Sequence, residues 1–175
     1  EVFGAKVFDF EWNNDFAAAR NHSLNQATGE WILVMDADEV ISPKDHKAIL
    51  HLIWKCSNNK SAFMMTTRNY TDLRNSADYS KNTGEYSEER STGWVPSKKV
   101  RLFPNHAKVR FIYPVHEQVD PILTEMDVAL IETQVPVHHY GKLDRSRTIE
   151  RWQMYYDIGK EKLSSHAAND HALNE

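Results

Sequence analysis

Two carboxylates one residue apart, in Asp36-Ala-Asp38-Glu39, are the strongest chemical signal in this sequence. They follow at once on Trp31-Ile-Leu-Val-Met35, a continuous apolar run of strand length. Apolar on both faces, that run predicts a central strand of a covered, mostly parallel sheet. In open α/β sheets, ligands gather beyond the carboxyl ends of strands, so the two carboxylates stand where chemistry usually happens. In an extended segment, alternate side chains point the same way, and Asp36 and Asp38 can then approach one centre together. Two hard oxygen donors suit Mn²⁺ or Mg²⁺, with substrate phosphates completing the coordination. The competing reading is a pair of solvated loop carboxylates ahead of the next helix. For an isolated Asp-x-Asp the two readings stand level.

The elements that must position this motif follow from pattern. Ala5 to Phe10 alternates and predicts a short strand. Asn13-Asn14 offers a cap for a helix from Asp15 to Ala27, closed by Gly29, with Phe16, Ala19, Leu24 and Ala27 on one face. Ser42-Pro43 starts a second helix, Ser42 as cap and Pro43 in its first turn, with a buried stripe of Ile49, Leu52, Ile53 and Cys56. Ser61 to Tyr70 reads as a strand. Thr71 to Gly93 is polar and long for a structureless loop in a compact domain, which predicts a functional loop or partial disorder. Lys99 to Phe103 and Val109 to Tyr113 bracket Pro104-Asn105 and predict a hairpin. Ile131 to Tyr140 is a further strand. Arg145 to Leu163 is helical, with Ile149, Trp152, Tyr156 and Leu163 on one side. Early alternation of helix and strand makes the fold class α/β.

Composition narrows the function classes. A net charge of −4 without a dense Lys/Arg stripe argues against a nucleic-acid surface. No apolar run approaches the length of a membrane span, and the single cysteine, Cys56, excludes an internal disulfide. A reduced thiol fits a cytoplasmic protein. His51, His106, His166 and His171 lie among polar residues and read as surface.

Two rival motifs are weak. An EF-hand loop needs further oxygen donors and a glycine at fixed spacing, and Val40-Ile41-Ser42-Pro43 lacks them. A strand ending in Asp-x-Asp also resembles phosphatases with an aspartyl nucleophile, but their paired downstream aspartates are missing and their motif lies on the first strand.

From Phe16-Ala-Ala-Ala-Arg-Asn through Ala27-Thr-Gly-Glu-Trp to Asp36-Ala-Asp38, the chain closely resembles family 2 glycosyltransferases of the GT-A fold. Their pattern is a helix bearing Ala-Arg-Asn, then Ala-x-Gly-Glu, then an apolar strand ending in Asp-x-Asp. Gly93-Trp-Val-Pro-Ser-Lys-Lys-Val-Arg-Leu-Phe-Pro-Asn105, Pro114-Val-His-Glu-Gln-Val119 and Pro136-Val-His-His-Tyr-Gly-Lys-Leu-Asp144 are similar to the bacterial members. In several of those, tetratricopeptide repeats follow the catalytic domain.

The resemblance implies transfer of a sugar from a nucleotide-sugar donor to an acceptor hydroxyl, with inversion at the anomeric carbon. It implies Asp38 as a ligand of Mn²⁺ or Mg²⁺ on the donor diphosphate, and Asp36 as a holder of the ribose or metal. It gives His139 as the late histidine that reaches back to the metal or the diphosphate. It gives Glu117 as the base that deprotonates the acceptor, and Arg20 as a group near the phosphates or a brace for the Asp pair. His138 and His139 face opposite ways in a strand, so only one can enter the site. Trp94, Tyr113 and Trp152 are candidates to stack on a sugar, although large aromatics more often belong to the core.

The expected organisation is a GT-A domain over residues 1–141, as a mixed sheet flanked by helices, with a helical extension over 142–175. The family's first nucleotide-binding strands do not precede Glu1. The expectation is therefore a chain cut from a longer enzyme, weak in donor binding and inactive by itself, or paired as a homodimer through an exposed sheet edge. The alternatives are a non-catalytic binding or scaffold module of the same fold and, less favoured, the phosphatase.

Overall fold

The computed structural model describes residues 4–56, 60–143 and 153–160. Helix α1 (Phe16–Leu24) leads to strand β1 (Trp31–Leu33), then β2 (Glu39–Val40), a 3-10 turn (Pro43–Asp45) and helix α2 (His46–Lys55). Strands β3 (Ser61–Thr71), β4 (Ser80–Lys81) and β5 (Gly93–Pro104) follow, then helix α3 (Asp120–Glu125) and strand β6 (Ala129–His139). A last helical stretch spans residues 153–160.

The sheet order is β1-β5-β3-β6-β2, with β4 paired outside β5. Among the described residues only β3 and β6 run parallel, Ser61 opposite Ala129 through to Asn69 opposite His139. The β5–β3, β1–β5 and β2–β6 pairs are antiparallel. This corrects the expectation of a central, mostly parallel strand at residues 31–35. Among the described residues β1 is a three-residue strand at the end of the sheet. Its Ile32 is buried while Leu33 stays exposed. From β1 the chain crosses the strand ends and joins β2 at the far side, carrying the acidic motif over the sheet.

Apolar side chains of the two faces make two cores. Ile49 of α2 is buried with Phe63, Met65, Leu102, Val135 and Val137, and Leu52, Ile53 and Cys56 pack against them. That is the stripe the sequence predicts for α2. On the opposite face, Ala17 of α1 and Leu123 of α3 are buried with Ile32, Ala62, Val100 and Phe103. The loop after β5 adds Val109, Phe111 and Val119 to this core. The result is a three-layer α/β arrangement, a mixed sheet between helices.

Several local expectations fail for physical reasons. Residues 5–10 form no strand; Val7 is 81% exposed, and nothing described offers these residues a ladder to join. Asp15, not Asn13 or Asn14, caps α1 by accepting from the Ala18 amide at 2.8 Å, and the helix ends at Leu24, before Gly29. Residues 109–113 make no hairpin with β5, because β5 is already paired on both sides by β1 and β3. Tyr156 is exposed, and Ile158 is the buried residue of the last helix. Ile149, Trp152, Leu163, His166 and His171 lie outside the described residues.

The polar segment before β5 is tied down by its own side chains. Asp72 accepts from the Thr92 amide at 3.1 Å, and Asn82 donates to the Arg90 carbonyl at 2.9 Å. Tyr86 is buried, with the Lys44 ammonium 3.3 Å and the Arg68 guanidinium 4.7 Å from its ring centre. Its ring also lies 4.8 Å from that of His138, which is fully buried and shares a 2.6 Å hydrogen bond with the Tyr70 hydroxyl.

Two stability measurements test this architecture. Arg101 and Glu39, whose side chains are each only 2% exposed, form an ion pair at 2.5 Å. Removing one partner strands a buried charge, so Glu39→Leu should cost about 3–5 kcal/mol in urea unfolding. The double variant with Arg101→Met should recover most of that loss; full additivity would show that the pair is not coupled.

Burial, and then the Arg68 charge, hold the His138 imidazole below its ordinary value, against the opposing pull of Glu88, Asp45 and Glu89. The unfolded chain therefore takes up a proton near pH ~6.5 that the folded chain resists. The stabilisation is complete above that pH and is lost as the pH falls. Melting temperature should drop between pH 7.5 and 5.5, with a shallower slope in His138→Gln; equal slopes would contradict the assignment.

Candidate functional site

The acidic motif is a turn, not an extended segment. The Glu39 amide donates to the Asp36 carbonyl at 3.0 Å, and residues 37 and 38 form the turn between them. Alternation along a strand is therefore not what relates Asp36 to Asp38. Glu39 holds the turn from inside: one carboxylate oxygen accepts from the Asp36 amide at 2.9 Å, the other from Arg101 at 2.5 Å.

Arg101 reaches this position because it is an extra residue in β5. The register passes from Leu102 opposite Phe63 to Val100 opposite Met64, leaving Arg101 as the bulge. A bulge re-aims its side chain out of the regular alternation. The guanidinium also meets the Thr67 hydroxyl at 3.3 Å and lies 3.9 Å from Asp36.

Arg20 joins the motif to Glu117. Its Nη2 donates to Asp36 Oδ1 at 2.8 Å and its Nε to Glu117 Oε1 at 2.5 Å. Burial alone would pull this guanidinium down, but the facing carboxylates of Asp36 and Glu117 outweigh it and raise it above its ordinary value. Burial would likewise raise Asp36; Arg20, then Arg101 and Lys99, hold it below the usual carboxylate range.

Glu117 comes from a tight excursion of the chain. Ile112 and Gln118 exchange backbone hydrogen bonds at 2.8 and 3.0 Å, closing a loop in which Tyr113 and His116 have φ of 72° and 51°. Positive φ is uncommon for residues with a side chain, and such strain collects at functional sites. The Pro114 carbonyl accepts from the Phe16 amide at 2.9 Å, docking the loop on the start of α1, one turn from Arg20. Asn21 fixes the other flank, exchanging hydrogen bonds with the Phe111 backbone at 2.9 Å.

Asp38 and His139 are brought together by strand pairing. Glu39 stands opposite His139 in the β2–β6 register, which sets Asp38 beside the imidazole with Oδ2 3.4 Å from Nε2. The Tyr140 amide donates to the Asp38 carbonyl at 3.0 Å.

The far side of the ring is oriented by Asn69. The Asn69 amide nitrogen donates to the Val95 carbonyl and the Ser97 hydroxyl, each at 3.0 Å, so its oxygen is the atom that faces His139 Nδ1 at 2.8 Å. Nδ1 then carries the hydrogen, and the Nε2 lone pair of a neutral ring points at a carboxylate oxygen. Two lone pairs at 3.4 Å repel unless a cation or a proton stands between them. A histidine whose other nitrogen donates to a carbonyl is the usual form of a metal ligand.

Gly141 completes the cradle. A Cβ there would collide with Asp38 Oδ2 and come within 2.6 Å of His139 Nε2. Asp38 and His139 are thus a donor pair kept open, and no group of three or more His, Cys, Asp or Glu side chains gathers among the described residues.

The structure brings Arg20, Asp36 and Glu117 into one ion-pair chain, and Asp38 and His139 into one donor pair, all lining a cleft of about 840 Å³. His138 faces the other way, onto Tyr70 and Tyr86. Trp94 lies under the Arg68 guanidinium, 5.0 Å from its ring centre. Arg101, Glu39, Asn69 and Gly141 are the contributors that pattern reading of the sequence overlooks. A lone arginine in the apolar strand Val100-Arg-Leu-Phe103 and a glycine two residues after the histidine were the available signals.

Comparison with known proteins places the chain in a family. The glycosyl transferase family 2 profile matches residues 1–109. A TPR repeat-containing protein of Synechococcus elongatus is 34% identical over 161 residues, covering 85% of this chain and 34% of that protein. The SPbeta prophage-derived glycosyltransferase SunS of Bacillus subtilis is 31% identical over 108 residues, covering 62% of this chain and 21% of that enzyme. The chain thus spans about a third or less of the length of these relatives. With the family profile running over 109 of its 175 residues, the chain belongs to glycosyl transferase family 2.

Proposed function

We propose that this chain contributes the metal-binding and proton-accepting parts of a nucleotide-sugar-dependent glycosyltransferase. The observation that carries the reading is the gathering of two side-chain groups in one cleft at one end of the sheet. An open Asp38–His139 donor pair lies beside Asp36, and Asp36 is joined through Arg20 to Glu117.

Asp38 and His139 would hold Mn²⁺ or Mg²⁺, whose bound charge offsets that of a departing diphosphate. The hard carboxylate suits either ion and the imidazole favours Mn²⁺ over Mg²⁺, with phosphate oxygens filling the other positions. Gly141 leaves the room, and Asn69 sets the imidazole's direction. Asp36, held by Arg20 and Arg101, keeps a fixed carboxylate on the donor side, for the ribose or the metal.

Glu117 is the base. Arg20 bonds its Oε1, which leaves Oε2 to accept the acceptor's hydroxyl proton. The acceptor oxygen forms the new bond to the anomeric carbon as the carbon–oxygen bond to the diphosphate breaks, and that bonding pair leaves with the diphosphate. One displacement inverts the anomeric centre. An aspartyl nucleophile is disfavoured, because Asp36 is committed to two guanidinium groups.

Two measurements on the full-length protein test this. Mn²⁺ with a nucleoside diphosphate should raise the melting temperature, and Asp38→Ala and Gly141→Ala should each weaken that complex by about 10- to 100-fold. No shift with any of the common nucleoside diphosphates would sink the reading. Glu117→Gln should lower turnover by about 10²- to 10⁴-fold with a small change in donor KM. Unchanged turnover would remove Glu117 from the chemistry, and absent turnover in wild type with nucleotide still bound would favour a binding module.

A further inference from the structure

The cleft continues past Glu117 onto a wall with a different character. Phe16 at the start of α1, His116 on the strained loop and Tyr155 of residues 153–160 all line it. Tyr155 sits between the other two rings, 5.6 Å from the Phe16 ring at a steep edge-on angle and 5.8 Å from the His116 ring. Three segments far apart in sequence therefore place three rings beside the proton-accepting carboxylate. Gln118 and Asp120 line the same cleft and bring an amide and a carboxylate to it. Fixed ring surface with a polar rim matches one ligand chemistry well: a pyranose, apolar along its C–H face and hydroxylated at its perimeter.

We infer that Phe16, His116 and Tyr155 form the acceptor subsite and that the acceptor is a saccharide whose ring stacks there. The inference rests on the glycosyl-transfer reading, because Glu117 must touch the attacking hydroxyl. The donor diphosphate belongs with Asp38 and His139, so the acceptor occupies the other flank of Glu117, and that flank is the aromatic one. The left-handed backbone at His116, φ 51°, turns an exposed imidazole toward the rings next to the base.

Saturation-transfer difference NMR on the full-length protein, with Mg²⁺ and UDP or GDP present, tests this directly. The probes are the methyl glycosides of glucose, galactose, mannose and N-acetylglucosamine and their common disaccharides. Ring C–H protons of at least one probe should receive saturation. Binding should weaken about two- to tenfold in Tyr155→Ala and survive in Tyr155→Phe, which keeps the ring. His116→Asn provides the second test should Tyr155→Ala fail to fold, since His116 is exposed and Asn tolerates positive φ; it should weaken the same signals.

A protein that shows the nucleotide melting shift but transfers saturation to no saccharide overturns this inference and leaves the donor site standing. Undiminished transfer in both Tyr155→Ala and His116→Asn overturns it as well. Absence of both nucleotide shift and saccharide signal overturns the glycosyl-transfer reading, and this inference with it.

Discussion

A guanidinium buried beneath the acidic turn is the constraint on which the site depends. Arg101 cannot be left unpaired at 2% exposure, because a charge taken out of water must recover its hydration from fixed partners. Glu39 supplies the charge, and Thr67 and the more distant Val34 carbonyl supply further contacts. With Glu39 committed inward, its second oxygen takes the Asp36 amide, and the turn closes. Asp36 and Asp38 are then directed by a neighbour that does no chemistry itself. The bulge that places Arg101 shows why a regular β5 would not serve.

The charges at this end of the sheet do not balance. Arg20 and Arg101 pair with Asp36, Glu39 and Glu117, and Asp38 stands beside His139, so two arginine charges meet four carboxylates. The balance is −2 before the weaker influence of Lys99 on Asp36. The two arginines neutralise Asp36, Glu39 and Glu117 in part, and Asp38 has no arginine at all. The uncompensated charge thus sits beside an imidazole lone pair and a glycine that leaves room. A divalent cation fits that imbalance, while a lone proton would relieve only half of it.

How much of this was legible in the sequence varied with the range of the interaction. Helix α2, strands β3 and β6 and the acidic motif were legible, because each is set by local periodicity or by a short run. The position of β1 was not. Five apolar residues in a row look like a central parallel strand, yet the three that form β1 pair only with β5. Residues 109–113 looked like a hairpin partner for β5, but both edges of β5 were already taken. The extended alternation of Asp36 and Asp38 gave way to a turn, because Glu39, three residues on, accepts the Asp36 amide. The site residues Arg20, Glu117 and His139 came from family resemblance, not pattern. Their convergence depends on sequence separations of 97 residues between Arg20 and Glu117 and 70 between Asn69 and His139, which no local window spans.

The two halves of the cleft are built by different means, and that difference has a functional logic. The Asp38–His139 side is fixed by backbone: the β2–β6 register, the Tyr140 amide and a glycine that admits no side chain. Substitution there meets a hydrogen-bonded ladder and a steric limit at once. The wall beyond Glu117 is fixed by side chains of the loop at His116, the start of α1 and the helical stretch at 153–160. Substitution on that wall leaves Arg101 and the acidic turn undisturbed, because neither contributes a hydrogen bond to it. Arg20 is the one residue belonging to both halves. Its single guanidinium holds Asp36 with one nitrogen and Glu117 with another, so a displacement of Asp36 reaches Glu117 through one rigid, planar group.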